Sequence, residues 1–217
     1  RSLRGNTVSP AVSERPRIAL LTGRSDPQRC ALSPTQRAIL DQLATHAKDI
    51  FFDPHNFPWP ADSAPWRPVP LLRAGFANGR QYLAARRGAF HGLTPAQTDH
   101  ARERLLAAPR TLLLVGSCGL ALLDALIAPF DHAQRARLRV IAYGAVAPRW
   151  PQHEGRPLDG VQLRGDRDRI AARFGPDNGP RPRMIAAGHM DYLDRISARD
   201  AVLSAAREQL EWLRHGP

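Results

Sequence analysis

A nucleophile, a carboxylate and a histidine each follow an apolar segment of the chain. Ser117 and Cys118 follow TLLLVG, Asp166 and Asp168 follow GVQLRG, and His189 follows RMIAAG. A thiol or hydroxyl attacks an acyl carbon when an imidazole takes its proton, and a carboxylate fixes the imidazole tautomer and stabilises its charged form. These residue types therefore indicate acyl transfer, provided that the fold brings them together.

The elements that must position these groups alternate along the chain. Strands are predicted at the short apolar runs 17–22, 49–53, 111–115, 137–143, 160–164 and 183–187. Helices are predicted at 34–46, at two or three places within 71–108 (most clearly 95–107), after Gly119, and at 198–213. Repeated strand, crossover and strand predicts a mainly parallel six-stranded sheet flanked by helices. Ligands of such sheets bind at the carboxyl ends of the strands, where these groups would meet.

Two segments between these elements are predicted to be irregular. The range 54–70 carries six prolines, a density that is incompatible with a helix or a central strand. The sequence GFANG, with Gly75 and Gly79, is predicted to form a turn near the entrance of the site.

The chain order of nucleophile, acid and histidine is the order that α/β-hydrolases use. With LLLVGSCG, the Gly165-x-x-Asp168 turn and Gly188-His189 before a final amphipathic helix, residues 17–213 resemble the α/β-hydrolase superfamily. The resemblance implies a minimal α/β-hydrolase fold that lacks the first antiparallel hairpin of larger members. It also implies a Cys118, His189 and Asp168 triad, with cysteine in a position that dienelactone-hydrolase-like enzymes also fill with cysteine.

Two positions of this triad have alternatives in the sequence. The family pattern places small residues two before and two after the nucleophile. Cys118 has Gly116 before it and Leu120 after it, whereas Ser117 has Val115 before it and Gly119 after it. Gly116 at the end of the strand favours Cys118, and Ser117 remains the alternate. For the acid, Asp168 fits the Gly-x-x-Asp spacing, and Asp166 is the alternate that would otherwise cap the next helix.

The resemblance also implies two backbone donors to the oxyanion. One is the N–H of Gly119, which follows Cys118, and the other is an N–H in the loop after the first strand, at Arg24. The sequence around Arg24, Thr-Gly-Arg-Ser, is not the His-Gly pair that is usual at this place.

The chain is strongly basic, with a formal net charge of +11 and 31 Lys and Arg residues, of which only Lys48 is a lysine. The arginines are spread from Arg1 to Arg214 and are not interleaved with aromatic residues, so nucleic-acid binding is not predicted. The charge does suit an acidic partner, such as a carrier-bound acyl substrate.

Other features limit the possible classes. Cys30 and Cys118 are too few for a disulfide framework, which favours a reducing compartment such as the cytoplasm. No apolar run is long enough for a membrane span. The eight histidines show no HExxH spacing and no GxGxxG or phosphate loop is present, so neither a metal nor a cofactor is predicted.

These inferences together predict a single α/β-hydrolase domain over residues 17–217, preceded by a disordered tail over residues 1–16. The expected activity is hydrolysis of a carboxylic ester or acyl thioester through an acyl-enzyme. An acyltransferase with the same triad is one alternative. A catalytically silent binding protein is another, because Leu120 departs from the family pattern. The sequence does not indicate an oligomeric state.

Overall fold

The computed structural model describes residues 15–26, 28–62 and 64–216. Most of the predicted tail, residues 1–14, lies outside the described residues. Its last two residues contact the sheet edge: the Arg15 guanidinium donates to the Ile50 carbonyl at 3.1 Å, and the Pro16 carbonyl accepts from the Phe51 N–H at 2.8 Å. The described fold therefore begins two residues before the predicted domain.

The sheet is formed by strands that follow the predicted order. The strands are β1 Arg17–Leu21, β2 Phe51–Asn56, β3 Thr111–Gly116, β4 Leu138–Tyr143, β5 Gln152–His153, β6 Arg156–Pro157, β7 Gly160–Gly165 and β8 Arg183–Ile185. Six of them form one sheet in the order β2-β1-β3-β4-β7-β8, and every neighbouring pair is parallel. The predicted six-stranded parallel sheet is confirmed, and its order is that of the central strands of the α/β-hydrolase fold.

Helices cover both faces of this sheet. They are α1 Pro34–Ala44, α2 Leu71–Ala85, α3 Pro95–Ala107, α4 Gly119–Leu126, α5 His132–Ala136, α6 Arg169–Phe174, α7 Ile196–Arg207 and α8 Leu210–His215. Side chains of a strand alternate between faces. Ala19 and Leu21 of β1 accordingly join a core with residues of α3 and α4, while Ile18 and Leu20 join a second core with α1, α7 and α8. Within the described residues, no helix combines the length and apolar character needed to cross a bilayer.

Three local predictions are wrong. β2 continues through Pro54 to Asn56, which is possible because β2 is an edge strand and needs ladder hydrogen bonds on one side only. Gly75 and Gly79 lie inside α2 and do not form a turn. The predicted last helix is divided into α7 and α8 around Glu208 and Gln209.

The connection from β4 to β7 contains the small β5–β6 hairpin, which the sequence did not predict. Glu154 and Gly155 at its tip both have positive φ, at 50° and 77°. Such angles are those of tight two-residue hairpin turns. The connection adds no helix over the site.

Candidate active site

The turn between β3 and α4 places a strained serine at the carboxyl edge of the sheet. Ser117 has a φ of 51°. Only Ser117 and Glu154 among the described non-glycine residues have a positive φ, and the left-handed region is unfavourable for a side chain with a Cβ. In an α/β-hydrolase elbow, a sharp and strained turn is what exposes the nucleophile above the sheet. The backbone at Ser117 has this character.

Cys118 has an ordinary backbone and a buried side chain. It is the N-cap residue of α4, with φ −69° and ψ −3°, and only 2% of the residue is exposed. Burial raises the pKa of its thiol to about 12, and the nearby backbone N–H groups of Cys118 and Gly23 oppose this shift only in part. A Cβ on Gly23 would lie 2.6 Å from the Cys118 Sγ, so the thiol packs directly under the loop after β1. At neutral pH the thiol is protonated.

The buried Asp168 contacts the partly buried His189. The His189 Nδ1 lies 3.0 and 3.1 Å from the two Asp168 carboxylate oxygens. Asp168 is 1% exposed, and it also accepts the Ala171 N–H at 2.8 Å as the N-cap of α6. An ionised carboxylate only accepts hydrogen bonds, so this contact assigns the ring hydrogen to Nδ1 and leaves Nε2 as a proton acceptor.

Tyr192 completes the support of this carboxylate. Its hydroxyl donates to an Asp168 oxygen at 2.8 Å and accepts the Gly165 N–H at 2.7 Å. Burial raises the pKa of the Tyr192 hydroxyl, so it stays protonated and remains a donor. The sequence pattern did not identify Tyr192 as part of the site. The signal that could have identified it is its position three residues after His189, within reach of the same carboxylate.

The turn that carries His189 is fixed separately. The Gly188 N–H donates to the Asp191 carboxylate at 2.8 Å. The His189 side chain is 18% exposed and lines the same cavity as Ser117 and Cys118. No hydrogen bond joins it to either of them within the described chain. Catalytic hydrogen bonds of this kind are often long in a free enzyme and tighten with substrate.

Asp166 is not brought to His189. Its carboxylate accepts the Ala187 N–H at 3.1 Å, lies 3.7 Å from the Arg167 guanidinium, and is half exposed. The helix-capping role predicted for it belongs to Asp168, which carries both the cap and the contact with His189. Asp168 can do both because its two oxygens offer several acceptor sites.

The loop after β1 is held by two side-chain amides. Asn56 accepts the Thr22 N–H at 2.9 Å and donates to the Thr22 carbonyl at 3.1 Å. Gln81, which is buried in α2, accepts the Arg24 N–H at 2.8 Å and donates to the Arg24 carbonyl at 2.6 Å. The Arg24 N–H is therefore already used and does not fit the predicted oxyanion role. Gly23, between the two amide contacts, packs against the Cys118 side chain and lines the large cavity.

Gly119 is required by packing. A Cβ at this position would lie 2.2 Å from the Leu21 carbonyl oxygen, so α4 can begin this close to β1 only with glycine. A Cβ on Gly116 would similarly lie 2.7 Å from the nearest ring atom of Tyr143. The Tyr143 hydroxyl is buried and has no hydrogen-bond partner in the described structure.

The site opens into a cavity of about 720 Å³. One wall is a face of α2 on which Gly75 and Gly79 leave open space, since a Cβ on either would meet nothing within 4 Å. The opposite rim carries large apolar side chains that are exposed to solvent, namely Ile170, Phe174 and Met190. The lining is mainly apolar and suits an uncharged organic group next to the reactive residues. Among the described residues, no group of three or more His, Cys, Asp and Glu could hold a metal ion.

No protein-family model and no curated protein sequence matches the chain. Several solved structures are similar to it. A predicted CIB-like hydrolase from Thermoplasma acidophilum has 16% identity and a TM-score of 0.49, covering 93% of this chain and 87% of that one. A carboxylesterase from Mesorhizobium loti has 16% identity and a TM-score of 0.44, covering 93% and 91%.

The esterase Est22 is also similar, with 12% identity, a TM-score of 0.45, and coverage of 94% of this chain and 74% of that one. At these identities the similarity is one of fold. The fold of this chain is a six-stranded parallel sheet flanked by helices, and its strand order agrees with the predicted α/β-hydrolase fold.

Proposed function

We propose that this protein hydrolyses an ester or thioester through an acyl-enzyme on Ser117. The observation that carries the proposal is the contact of His189 with the buried Asp168, at the same cavity as a serine with a strained backbone. In this mechanism His189 acts first as base and then as acid, and Asp168 holds its Nδ1 hydrogen.

Ser117 is favoured over Cys118 by two observations. Its φ of 51° is the strain expected where a turn presents a nucleophile, whereas the backbone of Cys118 is relaxed. Burial also keeps the Cys118 thiol protonated, with a pKa of about 12, whereas a cysteine nucleophile reacts as the thiolate. The sequence pattern thus favours Cys118 and the backbone conformation favours Ser117. The proposed nucleophile is one position earlier in the chain than the sequence pattern indicated.

This shift changes the proposed oxyanion donors. The residue after the nucleophile becomes Cys118, and its backbone N–H takes the role expected of the Gly119 N–H. The Gly23 N–H, held between the Asn56 and Gln81 contacts, supplies the second donor in place of Arg24. Donors fixed before substrate arrives need no reorganisation as negative charge develops on the carbonyl oxygen.

The reaction then balances with the residues present. The Ser117 Oγ attacks the acyl carbon while its proton passes to His189 Nε2. The oxyanion collapses, the bond to the leaving group breaks, and the leaving alkoxide or thiolate takes the proton from Nε2. Water repeats these steps at the acyl-serine, which releases the carboxylic acid and returns the proton to Ser117.

Steady-state kinetics with 4-nitrophenyl butyrate test this assignment. Ser117→Ala and His189→Ala should each lower kcat by at least about a thousandfold, since each removes a member of the triad. Cys118→Ala is the matched comparison and should lose no more than about tenfold.

The reverse pattern would return the nucleophile to Cys118, as the sequence favoured. An enzyme that turns over neither this ester nor S-butyryl pantetheine would contradict the hydrolase proposal itself.

A further inference from the structure

A second cavity, of about 190 Å³, adjoins the first. Ser25 lines both cavities, so they are neighbours across the loop that follows β1. Helix α2 is the wall between them. One of its faces, with Gly75 and Gly79, borders the large cavity, and another, with Arg73 and Arg80, borders the small one.

The small cavity is lined by three guanidinium groups and a histidine. These are Arg24, Arg73, Arg80 and His91, and no carboxylate is among the lining residues. Within the described chain, none of the three arginines forms an ion pair with a carboxylate. The nearby Asp26 is paired with Arg29 at 3.0 Å, and Asp62 accepts the Cys30 N–H at 2.8 Å. No ion pair in the described residues therefore occupies these guanidinium groups, and Asp62 and Asp26 act on Arg24 only at longer range.

Arg24 is held in place before any ligand binds. Its guanidinium lies 4.4 Å from the centroid of the Trp59 ring and donates to the Gly92 carbonyl at 3.4 Å. Gly92 has a φ of 92°, and a Cβ there would lie 2.8 Å from the Arg24 Nη2. A larger residue at this position would therefore clash with the guanidinium. Gln81 fixes the Arg24 backbone. A planar guanidinium in a fixed position is suited to bidentate recognition of carboxylate or phosphate.

Arg73 and Arg80 complete the positive wall. They are seven residues apart in α2, which is close to two helical turns, so both lie on one face. Both are exposed to solvent, and among the described residues their only cation–π contact is between Arg80 and the Phe76 ring at 5.9 Å. They can therefore turn toward a ligand at little cost in lost contacts.

We propose that the small cavity binds an anionic group, a phosphate or a carboxylate, that forms part of the substrate hydrolysed in the large cavity. This inference rests on the proposed function for its substrate, because the anionic group must be joined to the ester or thioester. Arg24 directly follows Gly23, the second oxyanion donor, and consecutive Cα atoms are about 3.8 Å apart. Ser25, the next residue, lines both cavities, so a substrate that spans them would pass along this loop.

Two matched substrate pairs test the proposal. Mono-4-nitrophenyl glutarate and 4-nitrophenyl pentanoate differ by a carboxylate on the acyl side. S-butyryl 4′-phosphopantetheine and S-butyryl pantetheine differ by one phosphate on the leaving-group side. The native enzyme should show a kcat/KM about tenfold or more higher for the anionic member of at least one pair. The double variant Arg73→Gln with Arg80→Gln should bring that ratio toward one, and about 0.5 M NaCl should lower it, because exposed charges are then screened within roughly 4 Å.

Arg87→Gln is the matched control. Arg87 follows the same helix, is exposed and lines neither cavity, so this variant should keep the ratio of the native enzyme. Equal kcat/KM within both pairs, or the same ratio in the double variant as in the native enzyme, would overturn the proposal. Turnover of the neutral esters in that case would leave the hydrolase assignment standing.

A binding measurement tests the anion site independently of the hydrolase activity. Inorganic phosphate is titrated into Ser117→Ala protein by calorimetry, so that no turnover is needed. Binding that is lost in the double arginine variant and kept with Arg87→Gln supports the anion site even if no ester is hydrolysed. Binding with no preference for either anionic substrate would mean a site for free anion only, which overturns the inference about the substrate.

Discussion

Ser117 and Cys118 are adjacent in the chain, but their backbone conformations differ, and we propose different roles for them. Ser117 has a strained φ and lines the large cavity, while the Cys118 side chain is buried against Gly23. The protonated Cys118 thiol contributes packing to the core. In the proposed mechanism only the backbone N–H of Cys118 takes part, as a donor to the oxyanion. Side-chain type alone favours the cysteine, so the distinction depends on conformation.

Tyr192 is predicted to position Asp168 and, through it, His189. Tyr192→Phe removes the hydroxyl that donates to Asp168 at 2.8 Å. Because a hydrogen bond to a charged group contributes about 1.5–3 kcal/mol, kcat should fall about tenfold or more while KM changes little. The kcat of each variant and its pH profile provide the measurement.

Tyr143→Phe is the comparison for this variant. The two rings are neighbours, with centroids 5.9 Å apart, but the Tyr143 hydroxyl has no partner among the described residues. Removing it should leave the free energy of unfolding unchanged or slightly raised. A Tyr192→Phe enzyme with the kcat and pH profile of the native enzyme would show that the hydroxyl does not act through Asp168.

Both cysteines are predicted to be unreactive in the folded protein. Burial raises the pKa of Cys118 to about 12 and of Cys30 to about 11. At pH 8 the Cys118 thiolate would then be roughly one part in ten thousand, and this fraction rises with pH toward the pKa. Iodoacetamide at pH 8 should modify the native protein at least about a hundredfold more slowly than the protein in urea. Fast alkylation of Cys118 that abolishes turnover would instead indicate an activated thiolate.

Glycines in the helices around the site have two different structural roles. Helix α4 begins against β1, and Gly119 has no room for a Cβ because the Leu21 carbonyl oxygen would be 2.2 Å away. Helix α2 uses glycine for the opposite purpose. Gly75 and Gly79 leave part of its surface open to the cavity, at some cost in helix propensity.

This difference predicts opposite effects of the same substitution. Gly119→Ala should lower the free energy of unfolding by about 2 kcal/mol or more, because the backbone of β1 must move. Gly75→Ala should raise it by about 0.5–1 kcal/mol, because alanine is the better helix former and meets no neighbour. Urea unfolding of both variants provides the measurement. Equal effects would mean that α4 and β1 do not approach each other this closely.

The element types follow from the sequence where its pattern is strong. The buried run TLLLVG predicts β3, and Ser33 before Pro34 predicts the start of α1. In the structure Ser33 is the N-cap of α1 and forms a complete capping box with Gln36. The sequence fails at α2, because the glycines of GFANG are typical of turns. Helix α2 tolerates them because other residues of the helix contact α4 and because the open space is part of the cavity.

Across the molecule as a whole, a buried ion cluster joins the edge of the sheet to a helix layer. Asp53 of β2 is 2% exposed and contacts the Arg104 guanidinium of α3 at 2.8 Å and that of Arg17 at 3.4 Å. Burial lowers the pKa of Arg17, and the charge of Asp53 opposes this effect. The carboxylate therefore compensates two cations that are largely removed from water.

Removing this carboxylate is predicted to be costly. Asp53→Ala leaves two guanidinium groups without their buried partner and should lower the free energy of unfolding by about 3 kcal/mol. Asp49→Ala breaks the exposed contact with Arg214, at 2.9 Å, and should cost less than about 1 kcal/mol. Urea unfolding of the two variants compares them. Similar losses would mean that the Asp53 cluster is open to solvent.

The sequence predicts which strand ends carry the site residues, but it does not predict the side-chain contacts around them. Placing an acid and a histidine after successive parallel strands predicts the meeting of Asp168 and His189, because those strand ends share an edge. Contacts between residues far apart in the chain are not visible in this way. The amides of Asn56 and Gln81 reach the loop at Thr22 and Arg24 only through the fold. The strain at Ser117 is likewise a property of the folded turn.

The atom that becomes acylated distinguishes a serine enzyme from a cysteine enzyme. An aryl carbamate leaves a slowly hydrolysed carbamoyl group on the attacking atom, and acid quenching followed by peptide mapping locates it. We expect one carbamoyl group on Ser117, retained in Cys118→Ala and absent from Ser117→Ala. A carbamoyl group on Cys118, or one that persists in Ser117→Ala, would contradict the assignment of Ser117 as the nucleophile.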